Sequence, residues 1–260
     1  MASLVIPGEE TKSMIAKAPE KKGELIGDLV AQDLRKSDVF NRYGIDYCCG
    51  GRRNLKEVCT EMSIDYDKLK IELDNVAGSI ASSNNYEDWS PAFLADYIYN
   101  QHHKYFYRVD KEIKELMLKV VGHHSPNHPF LHELQKTYHV LSLELNEHFI
   151  KEEQQIFPSI RVLDYINTTG QKNESAVFSP LFTSIQAMET DHDGAGRLLL
   201  ALRKITNDFT TPADACNSFT LLYKKLNDLE KDLHLHIHLE NNILFPAAIR
   251  LEEEVTGKAI

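Results

Sequence analysis

Two stretches, HFIKEEQQIFP (residues 148–158) and HIHLENNILFP (residues 236–246), share the spacing His, three residues, Glu, four residues, Phe-Pro. Each continues a run of apolar residues at steps of four and three, the periodicity of the buried face of a bundle helix. The runs are Leu134, Tyr138, Leu141, Leu145, His148, Glu152, Ile156 and Leu222, Leu226, Leu229, Leu233, His236, Glu240, Ile243. The pattern predicts that two helices point a His-Glu pair into the core of a helical bundle.

Prolines, glycines and polar loops divide the second part of the chain into four long helices. Their predicted extents are about Pro91 to Val121, Phe130 to Phe157, near Pro180 to near Phe209, and Pro212 to about Glu254. Because short connections make consecutive helices antiparallel neighbours, we predict an all-α fold with an up-down-up-down four-helix bundle over residues 91–254.

A small helical domain is predicted to precede the bundle, over residues 23–80. It shows three helical patterns and a glycine-terminated turn, DYCCGG. Residues 81–90, rich in Ser and Asn, are the predicted linker. Residues 1–22 lack periodicity and are predicted to be a flexible tail, and residues 255–260 a short C-terminal tail.

Composition excludes several classes of function. The net charge of −10 and the lack of a basic, aromatic-rich stripe argue against nucleic acid as a partner. No apolar run approaches the ~20 residues of a membrane span, and the N-terminus lacks a secretory pattern, so we expect no membrane association and a cytoplasmic location. Four cysteines, two of them adjacent, do not form a disulfide framework, which agrees with a reducing compartment.

The other two bundle helices also carry histidine in their apolar faces. The third helix places His192 in a run with Ile185, Met188 and Ala195. In the first helix, a face through His102 is as regular as one through His103, so periodicity leaves both open.

The predicted burial of two carboxylates beside four imidazoles requires compensation. Burying one unpaired carboxylate costs several kcal/mol, whereas a whole domain is stable by only about 5–15 kcal/mol. Salt bridges between Glu and protonated His are one alternative, but six groups from four helices at one level favour metal. A structural zinc needs only four ligands, usually with cysteine, whereas six N/O ligands with two shared carboxylates suit two irons.

The sequence resembles a known family in the stretches NQHHKYF, HFIKEEQQIFP, METDHDGAG, HIHLENNILFP and YGIDYCCGG. They are similar to the Repair of Iron Centres family, hemerythrin-like di-iron proteins with an ScdA-like N-terminal domain of the CCGG type. The resemblance implies a non-haem, oxo-bridged centre of two iron ions. It also implies a stress-response function, the repair of iron-sulfur clusters damaged by oxidative or nitrosative stress. The implied partners are damaged iron-sulfur proteins, with NO or O2 as small ligands.

The resemblance also assigns the ligands. The metal ligands it implies are His103 rather than His102, His148, Glu152, His192, His236 and Glu240. Glu152 and Glu240 would bridge the two irons. Glu144 and Asp191 are implied as residues that lie behind the ligands or along an access path, although Asp191 stands where the family usually has Glu.

The remaining candidates are weaker. Cys48 and Cys49 match the family motif and can form a redox couple or hold iron transiently; the alternative is that they only close a turn. Cys59 and Cys216 are predicted to pack on helix faces. The Phe-Pro steps are predicted to end or kink their helices. Surface or loop positions are predicted for His123, His124, His128, His132, His139, His234 and His238.

Two other functions stay open at this point. One is oxygen or NO binding and sensing of the hemerythrin type, and the other is catalytic reduction of NO or nitrite. The residues do not decide whether the site is that of an enzyme or of an iron donor. A monomer and a homodimer both stay open.

Overall fold

The computed structural model describes residues 24–77, 85–171 and 181–257. The predicted N-terminal tail, part of the predicted linker and the last three residues lie outside these ranges. Within them the chain forms helices, together with one isolated β-bridge between Leu25 and Asn54. The predicted all-α class is therefore confirmed. Across the same residues, every helix is too short or too polar to cross a bilayer.

Four short helices form the described N-terminal part, residues 24–77. They are α1 (Ile26–Gln32), α2 (Lys36–Tyr43), α3 (Leu55–Glu61) and α4 (Tyr66–Ala77). Gly44 ends α2 in the left-handed conformation, with φ of 66°, which a residue without a Cβ adopts readily. Phe40, Leu69 and Leu73 are buried in the apolar core between these helices, which Ile237 of the bundle completes.

Within residues 85–171 and 181–257, four long helices form the bundle, and three of them contain a π-helical segment. The first comprises α5 (Pro91–Ile98), the segment Tyr99–His103 and α6 (Lys104–His124). The second comprises α7 (Phe130–Lys151), Glu152–Ile156 and α8 (Phe157–Thr169). The third is α9 (Leu181–Ile205). The fourth comprises α10 (Asn217–Leu239), Glu240–Leu244 and α11 (Phe245–Thr256).

The predicted end of the second helix at Phe157 is wrong, because the helix continues to Thr169. Proline inside an α-helix lacks an N–H donor, and its ring clashes with the carbonyl one turn earlier. Here the wider π-helical turn Glu152–Ile156 comes directly before Phe157-Pro158, and the same arrangement precedes Phe245-Pro246. The π-helical turn relieves the clash, so both prolines lie inside helices that continue.

The connection between the third and fourth helices also differs from the prediction. The third helix ends at Ile205 rather than near Phe209, since Asn207, Asp208 and Phe209 adopt left-handed backbone conformations with φ between 49° and 55°. The fourth begins at Asn217 rather than Pro212, because Cys216 has an extended backbone and occupies the N-cap position.

Part of the predicted linker is packed structure. Residues Tyr86–Asp88 form a 3-10 turn, and the Tyr86 ring is buried against Trp89 and Tyr97, with ring centroids 4.8 and 5.5 Å away. This short segment therefore belongs to the apolar core of the bundle.

Two apolar clusters fill the bundle and leave a polar layer between them. One contains Phe106, Leu145 and Leu199, and the other contains Ile98, Met188 and Phe245. Each bundle helix contributes to both clusters. The residues between these two sets on each helix form the layer described below.

Candidate metal centre

Six buried side chains from all four bundle helices meet in this layer. They form two groups of four, in which one ligand atom per residue lies within 4.8 Å of the others. One group contains His103 and His236, the other contains His148 and His192, and Glu152 and Glu240 belong to both. Two adjacent cation sites that share two carboxylates would have this arrangement.

Each of the two shared carboxylates lies between one histidine of the first group and one histidine of the second. Glu152 Oε2 lies 3.4 Å from His103 Nε2, and Glu152 Oε1 lies 3.1 Å from His148 Nε2. Glu240 repeats the pattern, with Oε1 3.4 Å from His236 Nε2 and Oε2 3.2 Å from His192 Nε2. Each carboxylate therefore offers one oxygen to each site, as a bridging ligand does.

The donor atoms have no protein partner that satisfies them. All four oxygens of Glu152 and Glu240 are buried without a properly oriented hydrogen bond from any described residue. Within each group, two imidazole nitrogens face each other, with Nε2 to Nε2 distances of 3.3 Å for His103 and His236 and 2.9 Å for His148 and His192. Since buried acceptors left unpaired cost about 1–3 kcal/mol each, this layer fits a pair of cations.

Outer partners orient three of the four imidazoles. His103 Nδ1 contacts Glu153 Oε1 at 2.9 Å, and His192 Nδ1 contacts Asn241 Oδ1 at 2.8 Å. His148 Nδ1 faces Asp191 Oδ2 at 3.4 Å. A proton held on Nδ1 by an oxygen leaves Nε2 with a free lone pair, which is the tautomer that binds a metal.

Sequence reasoning missed Glu153 and Asn241, although the repeat carries a signal for them. Both follow the shared glutamate directly, at the same position of the two stretches, and both accept from a histidine of another helix. The π-helical segments contribute to this placement. Glu152 and Glu240 open such segments, and His103 closes one. π-Bulges occur often at functional sites.

Without bound cations, protons on two of the histidines would balance the charges of the layer. Burial lowers the pKa of His103, but its contacts with Glu152 and Glu153 outweigh burial and raise the pKa to about 9. The pKa of His148 rises to about 10, since the charge of Glu152 and the bond to Asp191 likewise outweigh burial. Burial instead holds the pKa of His236 well below its ordinary value. Cations entering the layer therefore displace protons from His103 and His148.

Aromatic rings exclude water from the layer. The Phe149 ring stacks on His103 with centroids 4.1 Å apart, and the Phe245 ring lies parallel to His192 at 6.1 Å. Both phenylalanines are fully buried. A low dielectric around the carboxylates strengthens their attraction for a cation.

The structure separates the two adjacent histidines of the first helix. His103 lies in the layer, whereas His102 Nδ1 contacts Asp232 Oδ1 at 3.0 Å. Of the two predicted accessory residues, Asp191 contacts His148 and also accepts from Lys151 Nζ at 3.0 Å. Glu144 is exposed beside Gly194. Its role in an access path stays a prediction.

The cysteine turn of the N-terminal part is attached to the same region of the fourth helix. Asn242 Nδ2 donates to the carbonyl oxygens of Tyr47 and Cys48, at 3.3 and 3.2 Å. Gly27 and Gly51 leave room for this amide, since a Cβ on either would clash with it. Asn242 directly follows Asn241, so one dipeptide holds both a layer histidine and the turn.

Two of the weaker predictions are wrong. His238 was expected at the surface but is buried, where Asn242 Nδ2 approaches its Nδ1 at 3.0 Å and Tyr47 packs on its ring. Cys216 was expected to pack on a helix face but is exposed, with Sγ 3.2 Å from His124 Nε2.

Comparison with known proteins covers both parts of the chain. Residues 22–77 match the model ScdA_N, a domain of unknown function (DUF542), and residues 94–248 match the hemerythrin HHE cation binding domain. Together with the two buried His/Glu groups, the second match indicates that the bundle binds metal.

Three curated relatives illustrate the similarity. The iron-sulfur cluster repair protein YtfE of Escherichia coli O81 (strain ED1a) is 35% identical over 227 residues, 86% of this chain and 96% of the relative. YtfE of Enterobacter sp. (strain 638) is 34% identical with the same coverage. The iron-sulfur cluster repair protein ScdA of Staphylococcus haemolyticus (strain JCSC1435) is 29% identical over 221 residues, 85% of this chain and 96% of the relative.

Proposed function

This chain belongs to the hemerythrin HHE cation binding family, and from that premise we propose that it is a di-iron protein that repairs damaged iron-sulfur clusters. The repair function is taken from relatives that align with most of this chain and are named iron-sulfur cluster repair proteins. Damaged iron-sulfur proteins of the cytoplasm are the proposed clients, and oxidative or nitrosative stress the proposed cause of damage.

The single observation that carries the proposal is the shared position of Glu152 and Glu240 between two pairs of histidines. One metal ion would leave one of the two groups without a cation. Six nitrogen and oxygen donors without thiolate suit iron and leave coordination positions for small ligands such as NO or O2.

Iron bound here supplies redox chemistry and a store of labile metal. The surrounding residues perform separate tasks. The two carboxylates hold the sites adjacent, and Glu153, Asp191 and Asn241 fix the orientation of the imidazoles. The phenylalanine rings keep water out.

Two measurements test the proposal. Anaerobic reconstitution with Fe2+ is expected to give at least about two irons per chain, as in other two-metal sites, and Glu240→Gln to lower that content. Loaded protein is then incubated with a dehydratase whose cluster has been damaged by peroxide, and recovered activity is measured. Glu230→Gln is the matched control, since Glu230 is a buried glutamate of the same helix that pairs with Arg203.

Each result separates the alternatives. Fewer than about two irons in the wild type would contradict the two-metal site. Full iron content without recovery of the dehydratase would contradict repair and favour a gas-binding protein of the hemerythrin type. Recovery that is equal with metal-free protein would show that the iron is not used.

A further inference from the structure

The turn that contains the two adjacent cysteines gathers three potential metal ligands outside the bundle. Asp46 Oδ1 accepts from the backbone N–H groups of Cys48 and Cys49, at 2.9 and 3.0 Å. The same oxygen lies 3.1 Å from Cys48 Sγ. One ligand atom from each of the three residues falls within 4.8 Å of the others.

The spacing of the thiols suits a single cation. Cys48 Sγ and Cys49 Sγ are 4.0 Å apart. Since a thiolate binds zinc-like cations at about 2.3 Å, both sulfurs can contact one ion, at an S–metal–S angle of roughly 120°, about 10° wider than the tetrahedral value. Asp46 then supplies the third ligand from the same turn.

A cleft gives this group access to solvent. The cleft has a volume of about 710 Å³ and lies between the cysteine turn and the third and fourth bundle helices. Cys49 is half-buried and Asp46 exposed, whereas Cys48 is buried. A fourth ligand, either water or a group from a second protein, can therefore approach from the cleft.

The electrostatics of the turn also favour a cation. The hydrogen bond to Cys49, burial and the nearby charge of Asp46 raise the pKa of the Cys48 thiol well above its ordinary value. The Cys48 thiol thus resists ionisation unless a positive charge lies beside it. A bound divalent cation would reverse that balance and release the thiol protons to solvent.

We propose that Asp46, Cys48 and Cys49 form a second metal site, which takes one borderline-soft divalent cation such as Fe2+, Zn2+ or Co2+ from the cleft. Thiolate ligands distinguish it from the bundle layer, whose donors are all nitrogen and oxygen. The site does not depend on iron in the bundle, and so it stands even where the proposed repair function fails.

Co2+ is the probe, because thiolate-to-cobalt charge transfer gives a near-ultraviolet band that nitrogen and oxygen ligands do not produce. Reduced full-length protein is titrated anaerobically with Co2+. The band is expected to saturate at one thiolate-bound ion per chain. Cys48→Ser and Cys49→Ser each remove a ligand and are expected to weaken this binding by 10-fold or more, on the order of what even a lost outer partner costs.

Asp46→Asn tests the third ligand. The amide oxygen still accepts from the two backbone N–H groups, so the turn is retained while the negative charge is lost. The band is expected at similar intensity but at a higher Co2+ concentration. Cys216→Ser is the matched thiol control and Glu240→Gln the bundle control, and both are expected to keep the band unchanged.

Three outcomes would overturn the site. They are no charge-transfer band in the wild type, a band that survives in the Cys48→Ser, Cys49→Ser double variant, or a band lost in Cys216→Ser. The unfolding transition of each metal-free variant is measured alongside. If Cys48→Ser is unfolded, Cys49→Ser carries the test, since its side chain is half-buried and reaches the cleft.

Discussion

Replacing Glu152 by glutamine is expected to have opposite effects on stability in metal-free and metal-loaded protein. Glu152 is fully buried, and neither oxygen has a satisfactory hydrogen bond within the described residues. In metal-free protein, the compensation that the described residues offer is the protons on His103 and His148. Neutralising both members of such a buried ion pair is often neutral or stabilising, by up to about 4 kcal/mol, whereas removing only one charge is destabilising. Both histidines can release their protons in the variant, so neither has to keep the positive charge that Glu152 balanced.

Bound metal reverses the sign of the stability difference between the variant and the wild type. A ligand at 100 times its dissociation constant adds about 2.7 kcal/mol to the free energy of unfolding. Two sites then add roughly 5 kcal/mol to the wild type. Glu152→Gln removes a ligand that both sites share, so the variant gains little from metal. The loaded wild type is therefore expected to be the more stable protein by at least about 1 kcal/mol.

Urea unfolding under anaerobic conditions, once with chelator and once with excess Fe2+, measures the stability difference between the two proteins without and with metal. Glu230→Gln is the control, because it loses the ion pair with Arg203 under both conditions and is expected to be less stable in each by about 1–3 kcal/mol. A metal-free Glu152→Gln that is less stable than metal-free wild type would refute the reasoning, as would equal stabilisation of both proteins by iron.

Three further predictions concern other residues. His103→Ala is expected to lower the iron content and change the absorption spectrum, whereas His102→Ala is expected to retain both irons, as metal analysis of the two variants will test. The backbone N–H of Phe219 and the His124 ring lower the pKa of Cys216 to about 7, so its alkylation rate should rise through pH 7 as the thiolate forms; an inflection above pH 8 would contradict this. Gly51→Ala places a Cβ 2.8 Å from the Tyr47 carbonyl oxygen and should cost about 1–3 kcal/mol in thermal unfolding, whereas Gly122→Ala, with nothing within 4 Å, should stabilise by up to about 1 kcal/mol.

The bundle could be predicted from periodicity, because buried faces repeat at steps of four and three whatever the side chains do chemically. His148, Glu152, His236 and Glu240 continue those steps and do face the interior. The choice between His102 and His103 could not be made in this way. Both are buried, and a π-helical turn ends at that point, where regular α-helical spacing no longer holds.

Other features depend on contacts between distant parts of the chain, which a local pattern does not contain. His238 is predicted at the surface when its helix is considered alone, but it is buried, and Tyr47 of the N-terminal part packs on its ring. The continuation of the second helix through Pro158 likewise depends on a π-helical turn that propensity scales do not describe. The outer partners of the imidazoles could have been predicted from the sequence, because they stand at the same position of the two repeated stretches.

The bond from Asn242 to the cysteine turn has a consequence for synthesis of the chain. Asn242 lies 194 residues after Cys48, whose carbonyl oxygen it holds. At translation rates of about 5–20 residues per second, roughly 10 to 40 seconds pass between the synthesis of the thiol turn and the synthesis of Asn242. The cysteines therefore leave the ribosome before the last helix has been synthesised. The bond between Asn242 and the thiol turn therefore forms only after the last helix has emerged.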